Sequence, residues 1–298
     1  MFLEKGRNIP SDFKSSCLII FIIFVISFSF AAYKRNGIWK DDLQLWKDVV
    51  RKSHEKARGY NDLGLAYYKS NQLDKAIKQY MSALKLKPDI TDTHNNLGII
   101  YYDQGRLDDA SKEYVTALSL RPDFAKAHSN IGNVYLKQGR VDEAIKEFLV
   151  ASKINPYSFE IHYNIAFAYV NQGRFDEAVT EYLNALKLKP NHTEAHNNLG
   201  NIYFIQKQFG DAIKEYITAL KLKPDYPDAI FNLGNTYYSL SRLDEAIQEY
   251  LRALRLKPDD AEIHYNLGLA YYKQGKVDEG RKEFEIALKL KTDNPRTR

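Results

Sequence analysis

Residues 127–148 read AHSNIGNVYLKQGRVDEAIKEF, and the same spacing of small, aromatic and apolar residues recurs along the chain. Apolar residues fall three and four apart on both sides of a short polar break at Gly139, which is helical spacing. Seven 34-residue segments carry this pattern without insertions, and they begin at Ala57, Thr91, Ala125, Phe159, Thr193, Pro227 and Ala261. A fixed period of this length predicts an all-α solenoid, in which each segment is a helix, a tight turn and a second helix.

Residues at the turn predict how the two helices are joined. A glycine in the break suits the left-handed conformation that ends many helices, and four segments have one: Gly105, Gly139, Gly173 and Gly275. An aspartate three residues later is predicted to cap the second helix with its side chain. These aspartates are Asp74, Asp108, Asp142, Asp176, Asp244 and Asp278.

A second set of glycines lies inside the first helix, where each costs about 1 kcal/mol relative to alanine. They are Gly64, Gly98, Gly132, Gly200, Gly234 and Gly268, with Ala166 in the fourth segment. Because a repeated cost needs a repeated reason, we expect the second helix to approach closely at these positions. Aromatic residues of the second helix would then fill the space between layers: Tyr80, Tyr114, Phe148, Tyr182, Tyr216, Tyr250 and Phe284.

The recurring Leu-Gly, Tyr, Ala, aromatic, Ala and Pro positions resemble those of the tetratricopeptide repeat, over roughly residues 57–294. The resemblance implies a right-handed α-solenoid that binds other proteins. Residues 127–148 are also similar to the repeats of O-linked N-acetylglucosamine transferases, although nothing in the chain resembles their catalytic domain. The segment from Tyr33 onward resembles the connection between the last membrane helix and the repeats in polytopic glycosyltransferase-like membrane proteins. Those proteins have many more spans upstream, so the resemblance does not imply their transferase activity here, and it implies a membrane-anchored tetratricopeptide protein.

An asparagine recurs two residues before the inner glycine, and we call this set the asparagine ladder. Its members are Asn96, Asn130, Asn164, Asn198, Asn232 and Asn266, with Asp62 in the first segment. Asparagine is a mediocre helix former, so its repetition inside a helix asks for a reason. The resemblance implies that the ladder faces a concave groove and holds the backbone of an extended peptide, since an amide offers a donor and an acceptor. The alternative is a solvated family feature that binds nothing.

Two neighbouring rows predict which peptides bind. One row becomes aromatic toward the C-terminus, with Tyr163, Phe231 and Tyr265. The other is acidic in four successive segments, with Glu160, Glu194, Asp228 and Glu262. The Lys and Arg clamp with which chaperone-tail binders of the family hold a terminal carboxylate is not reproduced. The two rows therefore predict a neutral or basic extended segment as the ligand.

The residues predict no catalytic site, no metal site and no cofactor. The sequence contains no nucleophile triad, glycine-rich phosphate loop or cysteine cluster, so we expect the protein not to be an enzyme. Histidine recurs in five segments, at His94, His128, His162, His196 and His264, but the copies lie in different segments, too far apart to share a metal. The net charge of +5 is modest and no basic stripe with aromatics appears, so nucleic acid is not an expected partner.

The N-terminal region predicts a single membrane anchor. Residues 15–33 contain no charge and would span roughly 28 Å as a helix, close to the roughly 30 Å of a hydrocarbon core. A cleaved signal peptide, with Ser29-Phe30-Ala31 as its cleavage site, is the alternative. The predicted organisation is a tail (1–14), the anchor (15–33), a linker with a capping helix (34–56), seven repeats (57–294) and a C-terminal tail (295–298).

These features together predict a membrane-anchored scaffold that binds an extended peptide or a partner protein. Basic residues are balanced on the two sides of residues 15–33 and give no orientation, whereas the resemblance favours repeats on the non-cytoplasmic side. The alternative function is a non-catalytic, substrate-recruiting subunit of a glycosyltransferase or envelope-assembly complex. Self-association would make a second copy of the chain a further partner.

Overall fold

The computed structural model describes residues 42–293, which form fifteen helices and no strand. The helices are α1 (Asp42–Lys52), α2 (Ala57–Lys69), α3 (Leu73–Leu86), α4 (Thr91–Asp103), α5 (Leu107–Leu120), α6 (Ala125–Lys137), α7 (Val141–Ile154), α8 (Phe159–Asn171), α9 (Phe175–Leu188), α10 (Thr193–Ile205), α11 (Phe209–Leu222), α12 (Pro227–Ser239), α13 (Leu243–Leu256), α14 (Ala261–Lys273) and α15 (Val277–Asp293). Each predicted segment supplies one helix pair, so the all-α prediction is confirmed for the described residues.

The predicted membrane anchor at residues 15–33 lies outside the described residues, as do the two terminal tails. Within residues 42–293, no helix has both the length and the apolar character needed to cross a bilayer.

The helices group into two compact units. One unit holds α1–α5 and extends to residue 122, and the other holds α6–α15 from residue 123 onward. Inside each unit, every helix packs on its neighbours in sequence, and several first helices also touch the first helix of the next repeat. Helix α1 follows the same rule, because it packs on α2, with Val49 and Val50 facing Gly59.

A left-handed residue ends the first helix of each repeat. Gly105, Gly139, Gly173 and Gly275 have φ between 72° and 85°, and a Cβ added to any of them would meet nothing within 4 Å. Their predicted role in the turn is confirmed. Three repeats without this glycine place Asn71, Lys207 and Ser241 in the same conformation, with φ of 56°, 60° and 57°.

An arginine links the two helices across four of the turns. Arg140 stacks on Tyr135 of α6, 4.3 Å from the ring centroid, and pairs with Glu143 of α7 at 3.0 Å. The same pair of contacts recurs at Arg106, Arg174 and Arg242. Since one guanidinium contacts an aromatic ring on one helix and a carboxylate on the other, it restrains the angle between them.

The inner glycines allow the two helices of a repeat to approach closely. A Cβ on Gly98 would lie 2.5 Å from the ring of Tyr114, and one on Gly132 would lie 2.5 Å from the ring of Phe148. Both rings are fully buried. The same steric relation holds for Gly64, Gly200, Gly234 and Gly268, which confirms the predicted approach.

The predicted caps of the second helices are wrong. The residue before helix α7 is Arg140, whose side chain makes no capping hydrogen bond, and Asp142 is already the second helical residue. A carboxylate in the first turn still stabilises the helix, because it lies near the positive end of the helix dipole. In the next repeat, Asp176 accepts a hydrogen bond at 2.8 Å from Gln206, directly after α10, so these aspartates connect successive repeats.

Candidate functional site

The asparagine ladder lies on the first helices of the repeats, and all six members are half-buried. In the unit that ends at residue 122, Nδ2 of Asn96 lies 3.5 Å from Oδ1 of Asn61 in the preceding repeat. The Thr93 hydroxyl donates to the same oxygen at 2.9 Å. The Asn61 side chain thus joins α2 to α4.

In the unit that begins at residue 123, ladder amides also bond to the preceding repeat. Asn164 donates from Nδ2 to Oδ1 of Asn133 at 3.2 Å. Asn198 donates from Nδ2 to the hydroxyl oxygens of Tyr163 at 3.0 Å and Tyr182 at 3.3 Å. These bonds tie α8 to α6 and α10 to the helix pair before it.

Asn232 makes the same kind of connection with two partners. Its Nδ2 donates to Oδ1 of Asn201 at 2.9 Å and to Oδ1 of Asn197 at 3.2 Å, both on α10. Asn130 on α6 and Asn266 on α14 occupy the equivalent positions and are half-buried as well.

The ladder therefore has a structural role and still offers a binding group. In Asn164, Asn198 and Asn232 the Nδ2 atoms serve contacts between repeats, whereas their Oδ1 atoms accept no hydrogen bond from any described residue. Buried and half-buried polar atoms in proteins are usually hydrogen-bonded, so these Oδ1 atoms can accept hydrogen bonds from a ligand. The row consequently presents acceptors at regular intervals, which suit the N–H groups of an extended chain.

A second amide row was missed in the sequence prediction. It consists of Asn133, Asn201 and Asn235, each directly after an inner glycine, and the signal was visible as the repeated N-x-G-N of residues 130–133, 198–201 and 232–235. Two of these amides face an open depression of about 290 Å³ between α10 and α12. Its lining is Asn201, Phe204, Ile205, Tyr216, Asn232 and Asn235.

Buried tyrosines orient the second amide row. The Tyr216 hydroxyl donates to Oδ1 of Asn201 at 2.7 Å, and the Tyr250 hydroxyl donates to Oδ1 of Asn235 at 2.8 Å. Burial raises the pKa of Tyr216 and of Tyr250 well above 10, so both hydroxyls keep their protons and act as donors. In each asparagine the carbonyl oxygen is thereby occupied, and the NH₂ group remains for a ligand.

The predicted aromatic row is only partly available to a ligand. Tyr163 is half-buried, and its ring packs edge-on against Tyr182 at 5.5 Å between centroids. Phe231 is half-buried against Tyr250 at 5.9 Å. Tyr265 is 47% exposed and is the most accessible member of the row.

The predicted acidic row is exposed, and a salt bridge within the chain balances the charge of one of its members, Asp228. Asp228 forms a salt bridge with Lys257 at 2.9 Å. A carboxylate oxygen of Glu194 lies 3.5 Å from Nδ1 of His192, but burial lowers the pKa of His192 and Nδ1 accepts a hydrogen bond from a backbone N–H, so this ring is neutral at pH 7 and does not balance the carboxylate. Glu160 accepts a hydrogen bond from the hydroxyl of Ser158. Glu262 completes the row at the start of α14. The salt bridge to Lys257 reduces the attraction of Asp228 for a basic ligand, whereas the other three carboxylates of the row have no cationic partner among the described residues.

The recurring histidines link the two helices of the five repeats that contain them. Nδ1 of His196 lies 2.5 Å from the Glu215 carboxylate, and Nε2 lies 2.9 Å from the Pro190 carbonyl oxygen. The hydrogen bond to Glu215 raises the pKa of His196. The ring–carboxylate contact recurs at His94, His128, His162 and His264, over 2.5 to 2.7 Å. Among residues 42–293, no three histidine, cysteine or acidic side chains converge in a way that could hold a metal.

Comparison with known sequences points to one family. A sequence profile described as TPR repeat matches residues 64–105, 98–139, 132–173, 166–206, 200–241 and 234–275. A second profile, described as tetratricopeptide repeat, matches residues 261–294. No curated protein matches the chain.

Solved structures share the helix-pair architecture. A crystal structure of MamA is 28% identical, with a TM-score of 0.53 over 56% of this chain and 97% of that one. MamA from Desulfovibrio magneticus RS-1, from residue 41 to the end, is 25% identical, with a TM-score of 0.55 over 57% and 96% of the two chains. YrrB, described as a TPR protein with an unusual peptide-binding site, is 20% identical, with a TM-score of 0.50 over 62% and 95%.

The profile matches run without a gap from residue 64 to residue 294, which is well over half of the chain. They coincide with the helix pairs, the left-handed turns and the glycine–aromatic contacts described above. The chain belongs to the tetratricopeptide repeat family.

Proposed function

We propose that the protein is a scaffold without enzyme activity that binds an extended peptide segment of a partner protein. The ligand would lie along the surface formed by α6, α8, α10, α12 and α14, which we call the first-helix surface. The observation that carries this proposal is the row of free Oδ1 atoms on Asn164, Asn198 and Asn232. An extended backbone has donors and acceptors at regular intervals and can match such a row without a fixed sequence.

Two likenesses support a peptide as the ligand. YrrB shares the fold and has a peptide-binding site of its own. The second is the resemblance of residues 127–148 to the repeats of O-linked N-acetylglucosamine transferases, which would extend peptide binding by such a ladder to this chain. The identity with YrrB is low, so its site is not transferred residue by residue, and the proposal depends on the amides of this chain.

The proposal includes a tether. The uncharged residues 15–33 would hold the repeats at a membrane, with the repeats on the non-cytoplasmic side. The scaffold would thus gather its partner at a membrane surface. This part depends on the length and composition of residues 15–33 alone.

The test is loss of peptide binding on removal of ladder amides. In the full chain, purified in detergent, we would replace Asn164 and Asn198 together by alanine and measure binding to an array of capped random dodecapeptides. We expect binding to fall about tenfold or more across peptides of different sequence, because two backbone-facing acceptors are lost. The ladder amides also join repeats, so helix content and melting temperature are measured in parallel.

A matched variant replaces Asn155 and Asn171, both exposed and outside the ladder, by alanine. It should bind like the unmodified chain. Unchanged binding by the Asn164 and Asn198 variant, with a melting temperature near that of the control, would rule out the ladder as the binding element.

A further inference from the structure

The depression between α10 and α12 combines polar atoms of fixed character with an apolar wall. Oδ1 of Asn201 is taken by the Tyr216 hydroxyl and by Nδ2 of Asn232, and Oδ1 of Asn235 is taken by the Tyr250 hydroxyl. The groups left over are Nδ2 of Asn201, Nδ2 of Asn235 and Oδ1 of Asn232. None of these three atoms has a hydrogen-bond partner among residues 42–293. The site therefore offers two donors and one acceptor.

We infer that this depression is a side-chain subsite for a carboxamide, and for glutamine in particular, in the peptide that the first-helix surface binds. This inference rests on the proposed function. A carboxamide oxygen accepts from the two NH₂ groups of Asn201 and Asn235, and its own NH₂ donates to one lone pair of Oδ1 of Asn232, whose second lone pair remains for the peptide backbone. The two methylenes of glutamine pack against Phe204 and Ile205, of which Ile205 is 52% exposed.

Other side chains of similar size fit the same atoms less well. A glutamate carboxylate has no donor for Oδ1 of Asn232 and loses hydration on entering. A methionine side chain leaves all three polar groups without partners. A lysine ammonium can donate to Oδ1 of Asn232, but it has no acceptor for the two NH₂ groups of Asn201 and Asn235. The donor and acceptor pattern thus selects a neutral amide.

This pattern is specific to one place in the array. The residue after the inner glycine is Leu65, Ile99 or Leu269 in three repeats, and Phe167 follows Ala166 in the fourth repeat; none of them carries an amide. Asn133 in the third repeat has Phe148 as its aromatic neighbour, which has no hydroxyl to orient it. Repeats five and six alone combine the second-row asparagine with a tyrosine that bonds to it among the described residues.

The experiment compares three nearly isosteric probes. Capped dodecapeptides with glutamine, glutamate or methionine at one fixed position, and the other positions random, are bound to the full chain in detergent. We expect the glutamine pool to bind about tenfold more tightly than the other two, because each mismatch leaves at least one half-buried polar group unpaired.

Two variants identify the residues responsible. Asn201→Leu combined with Tyr216→Phe reproduces the native pair Leu269 and Phe284 of the seventh repeat, so it should fold and bind the three pools equally. Asn201→Asp keeps an acceptor for the Tyr216 hydroxyl while replacing the donor NH₂ by a carboxylate oxygen, so it should lose the preference for glutamine. The exposed Asn155→Leu serves as the control and should retain it.

Three outcomes separate the inference from the proposed function. A glutamine preference that the Asn201 variants abolish supports both. Equal binding of all pools, still weakened by loss of Asn164 and Asn198, overturns the carboxamide subsite and leaves the peptide scaffold standing. No binding of any pool to the folded chain overturns both.

Discussion

The imidazole of His196 and the carboxylate of Glu215 face each other at 2.5 Å, joining the first helix of the fifth repeat to its second. This contact raises the pKa of His196 above its ordinary 6.5, so the folded chain binds a proton there more tightly than the unfolded chain does. The stabilisation is fully present below pH 6.5 and is lost as the pH rises through the raised pKa of the folded state.

We predict that raising the pH above 6.5 removes the contribution of His196 to stability and that His196→Gln makes this loss smaller. Glutamine keeps a donor for Glu215 but does not titrate. The measurement is the urea midpoint at half-unit steps of pH. The control is His54→Gln, because His54 is exposed and lies outside the repeats' helix-linking positions. If the urea midpoints of the native chain and the His196 variant change with pH in parallel, the raised pKa of His196 is not the cause of the pH dependence.

We predict that Gly132→Ala destabilises the chain by roughly 1–3 kcal/mol, through overpacking. The new methyl would meet the ring of Phe148 at 2.5 Å, and because this ring is fully buried, the ring or the helix must shift within a packed interior. Urea unfolding measures the change. Adding Phe148→Leu, which removes the ring, should recover part of the loss. A double variant no more stable than Gly132→Ala would exclude this steric mechanism.

We predict that substitution of Gly139, seven residues after Gly132 in the same repeat, also lowers stability but for a different reason. Gly139→Ala should cost roughly 1–2 kcal/mol because φ is +75°, where an L side chain is strained, although the space around it is open. Gly139→Asn should cost less, since asparagine tolerates this conformation, as Asn71 does in the first repeat. Equal urea midpoints for the alanine and asparagine variants would argue against a backbone origin.

We predict that freeing Asp228 changes the charge preference of the first-helix surface. Lys257→Gln removes the salt-bridge partner of Asp228, so lysine-containing dodecapeptides should bind roughly twofold to fivefold more tightly at low salt. The gain should vanish at 1 M salt, where exposed charges are screened. Lys153→Gln, a change at an exposed lysine of α7, is the control. A salt-independent gain would point to a cause other than charge.

Much of the fold could be predicted from residues whose role depends only on their own backbone or on a contact within the same repeat. Gly139 needs only its own backbone conformation, and Gly132 needs only the aromatic residue sixteen positions later, so periodicity reveals both. The aspartate caps were wrong because the helix begins one residue before Asp142, next to an arginine whose side chain stacks on a tyrosine. That stacking involves an earlier helix and is not apparent from a capping pattern.

The candidate site was predictable in position but not in its hydrogen bonding. The sequence places Asn198 and Asn232 on one row, but it does not show that their NH₂ groups donate hydrogen bonds to the preceding repeat. Those bonds depend on the neighbour, which is Tyr163 in one case and Asn201 in the other. Which half of an amide remains for a ligand is a property of side-chain packing between repeats, and only the structure gives it.

The packing of each helix on its neighbours in sequence has a consequence for how such a protein changes over evolution. Residues 193–226 make up one full period, and their removal would join the loop before α10 to α12 through a connection of the same length and kind. Genetic duplication or loss of such a unit therefore needs no newly invented interface. The length of the surface available to a partner can change by whole repeats, while point substitutions change what each repeat recognises.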